Sequence, residues 1–286
     1  VGLGMGIVAA VFLLAATGVI TLDAQAIGRS MTYVIVGAAV AYFAYIFLLG
    51  GLNSDEKKRV LVIAVLFLAA AVFWSAFEQA PTSLNLFAAD FTNRMVGSFE
   101  VPATWFQPVN SFFIVLLAPV FAALWVGLAK RGFDLSSPTK FAFGLAFAGV
   151  GFLLMIMAAN KVVSGGAGTL VSPWWLIGSY FFQTVGELCL SPVGLSSMTK
   201  LSPRKYVGQM MGIWFMASAL GNLIAGLVGG NVDPEKLEQM PQLFTMTTAS
   251  LFIAAVVLGL MIVPIRRMMA RSGETATATA TAGGAE

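Results

Sequence analysis

Eight apolar runs constrain what this chain can fold into more than any other feature. A helix that crosses a bilayer needs about 20 mostly apolar residues. Runs of that kind occupy roughly 2–21, 30–50, 60–86, 102–129, 140–160, 173–200, 206–230 and 243–265. The strands of a membrane barrel are about ten residues long and alternate in polarity, so these runs predict an all-α integral membrane protein. Charge agrees. Only 10% of the 286 residues are charged, against about 25% in soluble domains.

The connections set the orientation. "GGLNSDEKKR" (50–59), "AKRGFDLSSPTK" (129–140), "TKLSPRKY" (199–206) and "IRRMMAR" (265–271) fall on one side if the spans simply alternate. They hold 12 of the 16 lysines and arginines; the others are Arg29, Arg94, Lys161 and Lys236. Basic loops stay in the cytoplasm, so that side and the C-terminus are predicted to be cytoplasmic. Trp174 and Trp175 open the sixth span, where aromatic residues anchor at an interface. The stretch "GETATATATAGGAE" (273–286) reads as an unordered tail. The first residue is Val1, which predicts that the chain is the later part of a longer polypeptide.

Composition also removes function classes. There is one cysteine, Cys189, and no histidine. A disulfide framework, a Cys/His zinc site, histidine-ligated haem and a Ser-His-Asp triad are excluded. No acid-rich metal–diphosphate motif is present, so an enzyme is not expected. The net charge of +3 comes from scattered residues and points to no nucleic-acid partner. Proton chemistry must rest on carboxylates.

Two of the 13 acids lie within spans, Glu78 and Glu187. Glu187 falls at the midpoint of its span. Glu78 lies about five residues past the middle of its own, roughly 8 Å toward the outer face at 1.5 Å per residue. A charge at the midplane costs about 2.5–3.5 kcal/mol. One reading is a protonated carboxyl bonded to a neighbouring helix. The other is a substrate or proton site. The neighbours favour the second. Ser191 is one turn beyond Glu187, and Pro192 frees the carbonyl at 188, predicting a kink or break. Trp74 is one turn before Glu78, with Pro81 after it. Gln107 and Asn110 share a face, as do Trp214, Ser218, Gly221 and Asn222, although such residues also serve merely to join helices. None of the basic residues lies deep in a span. The site therefore suits a cationic or amine-bearing end of a ligand.

"FWSAFEQAPTSLNLFAADFTNR" (73–94), "PATWFQPVNSFFIVLLAPVFAALW" (102–125), "FFQTVGELCLSPVGLS" (181–196) and "VGQMMGIWFMASALGNLIAG" (207–226) resemble the proton-dependent oligopeptide transporter (POT) family, a branch of the major facilitator superfamily. The resemblance covers nearly the whole chain. It implies the C-terminal six-helix bundle of that fold (60–265), preceded by a two-helix transmembrane hairpin (1–50) and a cytoplasmic linker (51–59), with a tail at 266–286. It implies proton-coupled uptake of di- and tripeptides across a bacterial inner membrane, with no cofactor beyond the proton gradient. The N-terminal bundle would be the necessary partner and would hold the peptide carboxylate.

The family roles carry over by position. Glu187 matches the acid that holds the peptide amine, with Ser191 beside it. Asn110 matches an asparagine on the peptide backbone, and Trp214 a pocket-lining tryptophan. Trp74 is grouped with them as substrate-binding. Glu78 matches the proton-coupling acid, which pairs with the N-terminal bundle. Some members place a second polar residue just before that acid; here it is Phe77, which departs from their relay. Asp90 and Arg94, four apart near the outer face, are expected to form an ion pair, either an ordinary helix-end pair or part of an outer gate. The rival readings are a transporter of the same superfamily for nitrate or an amine, and a non-transporting membrane subunit.

Overall fold

The computed structural model describes residues 23–133, 135–166, 168–230 and 239–282, with the single positions 6 and 17, and side chains as far as Met268. Seven of the eight expected spans fall there, and each is a helix. The first, 2–21, lies outside the described residues. The long helices are α1 (Ala24–Leu49), α2 (Ser54–Phe77), α4 (Pro108–Lys130), α5 (Ser137–Gly165), α6 (Trp174–Leu201), α7 (Val207–Gly230) and α8 (Gln239–Ala282). A short α3 (Asn85–Phe91) follows α2. Among the described residues, six helical stretches are long and apolar enough to cross a membrane. The α6 helix is of similar length but carries Gln183, Thr184, Glu187 and Ser191 along one stretch.

Several boundaries differ from expectation. The linker expected at 51–59 is already helical from Ser54. Asn53 accepts from the Asp55 and Glu56 amides at 3.1 and 2.8 Å, and Glu56 accepts from the Asn53 amide at 3.0 Å. This reciprocal cap satisfies N–H groups that a helix start leaves open, so the charged residues extend the helix instead of preceding it. The tail expected to be unordered from 273 is helical as far as Ala282. Extending an existing helix needs no new nucleus, and alanine recurs there. The α6 helix runs unbroken through Pro192, where a kink or break was expected.

The third span does break, at Glu78. The α2 helix ends at Phe77, and one π-helical turn (Ala80–Leu84) carries the chain into α3. Pro81 has no N–H to donate, and the wider turn closes with Leu84 N donating to Gln79 O at 3.0 Å. Gln79 holds the break together. It is 2% exposed, donates to Thr247 Oγ1 of α8 at 3.0 Å and accepts from Ser83 Oγ at 2.9 Å.

Packing centres on α5, which lies against α6 and α8, while α2 lies against α7, α8 and α6. Where α5 crosses α6, Gly144 and Gly186 face each other. A Cβ on Gly186 would stand 2.6 Å from the Gly144 carbonyl oxygen. Small residues let helix backbones approach this closely in a membrane. Among the long helices, α4 rests chiefly on α6, and it buries no residue fully. The α1 helix lies along α7. Gln25 Nε2 donates to Gly230 O at 2.6 Å at one end; Tyr42 OH donates to Gln209 Oε1 at 3.0 Å and Tyr206 OH to Gly50 O at 3.1 Å toward the other.

Gly186→Ala is expected to lower stability by about 1–3 kcal/mol, because the added methyl meets backbone and overpacks the crossing. Gly259→Ala on α8 meets nothing within 4 Å and should leave the melting temperature unchanged or slightly raised. Thermal unfolding in detergent compares the two.

Candidate functional site

Four helices bring the sequence-predicted residues to one face. Glu187 and Ser191 come from α6, Asn110 from the start of α4, and Trp74 and Glu78 from the end of α2. The π turn leaves Glu78 as the last helical cap, its N–H still bonded to the Trp74 carbonyl at 3.0 Å. From α7, Gly221 lets the α2 backbone at Trp74 and Ser75 lie directly against the helix. The next residue, Asn222, reaches Glu78. With its amide turned so that both groups are satisfied, the nitrogen donates to the two carboxylate oxygens at 3.1 and 3.2 Å.

Asn110 links α4 to α6. Its Nδ2 donates to Thr184 Oγ1 at 2.9 Å, and Glu187 lies three residues beyond Thr184 on α6. Below them, Phe113 of α4 meets Phe181 of α6 edge-on at 5.5 Å. Three polar atoms of the site are buried without a partner: Oε2 of Glu187, Oγ of Ser191 and Nε1 of Trp74. Buried polar atoms are nearly always bonded, so three such exceptions on one face mark a place where a ligand can supply the missing bonds. Trp74, Glu78, Asn110, Glu187 and Ser191 are each half-buried. A cavity of about 580 Å³ does exist elsewhere, between α2, α7 and α8, lined by Ser75, Gln79 and Thr247 among others. It does not include Glu187, Ser191 or Asn110.

Trp214 is placed differently from an open wall residue. It is 5% exposed, with its ring against Gly194 and edge-on to Phe141 at 6.1 Å. It braces α6 from behind. Phe77 stacks on Phe73 at 5.5 Å and 24°.

The expected Asp90–Arg94 pair does not form. The α3 helix ends at Phe91, so Arg94 is no longer one helical turn from Asp90. The chain turns into a two-stranded ribbon, Met95–Val96 with Phe99–Glu100, that sets Met95 opposite Glu100. Arg94 accordingly pairs with Glu100 at 2.7 Å and also donates to Val101 O at 2.7 Å. Asp90 is exposed.

Two residues carry more of the site than the sequence suggested. Asn222 was visible only as one of several residues on a helix face; its partner on α2 is a tertiary fact. Thr184 went unremarked, although its spacing of three from Glu187 was a usable sign of a shared face.

This chain belongs to the POT family, whose profile (PTR2) matches residues 29–243. It is 49% identical over 266 residues to the peptide transporter YePEPT of Yersinia enterocolitica, covering 93% of this chain and 52% of that protein. Dipeptide and tripeptide permease B of Aeromonas hydrophila is 34% identical over 228 residues, 76% of this chain and 45% of that one. The crystal structure of peptide transporter POT in complex with sulfate matches with a TM-score of 0.81 and 31% identity, over 94% of this chain and 52% of that chain. The fold is therefore of the major facilitator type, in an integral membrane protein of a transporter family. The chain spans about half the length of the curated relatives it matches.

Glu100→Ala tests the pairing of Arg94. It is expected to lower stability by up to about 1 kcal/mol, since one partner is well exposed. Asp90→Ala should change it by less than about 0.5 kcal/mol. Equal effects in thermal unfolding would restore Asp90 as the partner.

Proposed function

We propose that the protein takes up di- and tripeptides together with protons by alternating access, and that this chain forms half of the peptide site. One observation carries the reading: Oε2 of Glu187, near the middle of α6, is buried with no partner. Leaving such an atom unpaired costs about 1–3 kcal/mol or more, and a ligand ammonium would remove that cost through a charge-assisted bond. The free Ser191 hydroxyl and Trp74 indole N–H would engage peptide amide groups. Trp214 acts as the brace that keeps α6 in place. No lysine or arginine belongs to the set, so the peptide carboxylate falls to the N-terminal bundle. This argues against nitrate. The names of the relatives, peptide transporter and dipeptide and tripeptide permease, support a peptide over a simple amine.

Glu78 is the proposed proton-coupling acid. Asn222 holds both its oxygens here; an arginine of the N-terminal bundle would compete for them in another conformation. A carboxyl that faces a cation in one state and a neutral amide in the other changes its proton affinity between them, as gradient-driven uptake requires. Residues 1–50 are proposed as the inter-bundle hairpin and 60–265 as the second bundle. The basic connections and the C-terminus would face the cytoplasm of a bacterial inner membrane. The Arg94–Glu100 pair, at the opposite end, replaces Asp90 and Arg94 as the element to test in any outer gate.

The first experiment is uptake of radiolabelled dialanine into proteoliposomes holding the full-length protein, with and without an inward proton gradient. Accumulation that needs the gradient and is blocked by unlabelled dipeptide is expected. Block by amines but not by dipeptides would shift the substrate class. Glu187→Gln should weaken peptide binding by roughly tenfold or more, and unchanged affinity would remove its assigned role. Glu78→Gln should keep peptide exchange while losing gradient-driven accumulation; retained accumulation would count against it.

A further inference from the structure

The hydrogen of the Thr184 hydroxyl is already engaged. It donates to the Tyr180 carbonyl, one turn earlier on α6, at 2.7 Å. Thr184 is wholly buried, at 0% exposure, so no water competes for that bond. The oxygen is left as an acceptor toward any second partner, and the partner is Asn110 Nδ2 at 2.9 Å.

An asparagine side chain presents a donor at one end and an acceptor at the other, and only its partners decide which way it faces. At Asn110 one partner decides: Thr184 Oγ1 accepts from Nδ2 at 2.9 Å. The NH2 end therefore faces α6. Oδ1, the other end of the amide, has no hydrogen-bond partner among the described residues.

We infer that Thr184 is a positioning residue for ligand recognition: it engages the donor end of Asn110 and so presents Asn110 Oδ1 to the ligand as an acceptor beside Glu187 Oε2. The inference rests on the peptide-uptake reading above. Two neighbouring acceptors fit a group with several N–H donors, an unblocked primary ammonium. A ligand that places only carbon or an acceptor there leaves both oxygens unpaired, and sites built on such bonds reject those ligands strongly.

The test compares two competitors of dialanine binding to the full-length protein. One is dialanine itself. The other is propionyl-alanine, which has the same skeleton without the amine. Thr184→Val keeps the shape and removes the acceptor, and Thr184→Ala is made beside it because it cannot overpack the site. In either variant dialanine affinity is expected to fall about tenfold with propionyl-alanine nearly unchanged, so that discrimination between them shrinks. Thr184→Ser should restore it. Equal weakening of both ligands, or no change, overturns the role of Thr184 while leaving peptide uptake standing. A wild-type protein that does not bind dialanine overturns the uptake reading and the inference with it.

Discussion

Within a bilayer core a side-chain hydroxyl, amide or carboxyl has no water to bond with, and the polar residues of α6 divide according to how each meets that demand. Thr184 and Ser197 bond to carbonyls one turn earlier on their own helix, and Gln183 bonds to Ser179. These groups are settled within α6 and leave the helix free to pack. Glu187 and Ser191 are not settled in this way. The helix thus carries bonded scaffold groups and the unpaired oxygens of Glu187 and Ser191 in the same run of residues. The same distinction holds on α2, where Gln79 is bonded to Thr247 and Ser83 while Trp74, five residues earlier, keeps a free N–H.

The close packing behind the site makes this arrangement possible. Gly186 sits next to Glu187 and lets α6 touch α5 along their backbones, so the acid is carried on a helix that is supported from the rear. Gly194 gives room to the Trp214 ring, and Gly221 to Trp74. In each case the absent side chain on one helix admits a large ring or a backbone from another. The π turn then aims Glu78 toward α7 instead of continuing the α2 helix. Pro81 supplies the reason for the break, and Gln79 supplies the bonds that hold it.

The spans and the two intramembrane acids were legible because they rest on long-range averages: about twenty apolar residues in a row, and a charge in the wrong solvent. Trp74 with Glu78, and Glu187 with Ser191, were legible because helical spacing alone places them together. What escaped depended on partners distant in sequence. Asn222 and Glu78 are 144 positions apart, and no periodicity announces their contact. Arg94 was misassigned because the helix was carried three residues too far; the chain leaves it at Phe91 and the ribbon decides the partner. The helical start at Ser54 was missed through reading charge as loop, when Asn53 and Glu56 formed a cap. The continuation to Ala282 was missed because a repetitive composition was judged in isolation from the helix that precedes it.

The attachment of α1 to α7 has a mechanical consequence. The contacts are spread over the length of both helices: Gln25 to Gly230, Gly28 against Leu227, Tyr42 to Gln209 and Gly50 to Tyr206. A joint at one end would let α1 swing like a pendulum, whereas fastenings at both ends make the two helices a splinted pair. Bending α7 near Asn222 would have to stretch or slide α1 as well. The segment that holds Glu78 from α7 is therefore stiffened by α1, and tilting it calls for the whole splint to turn together.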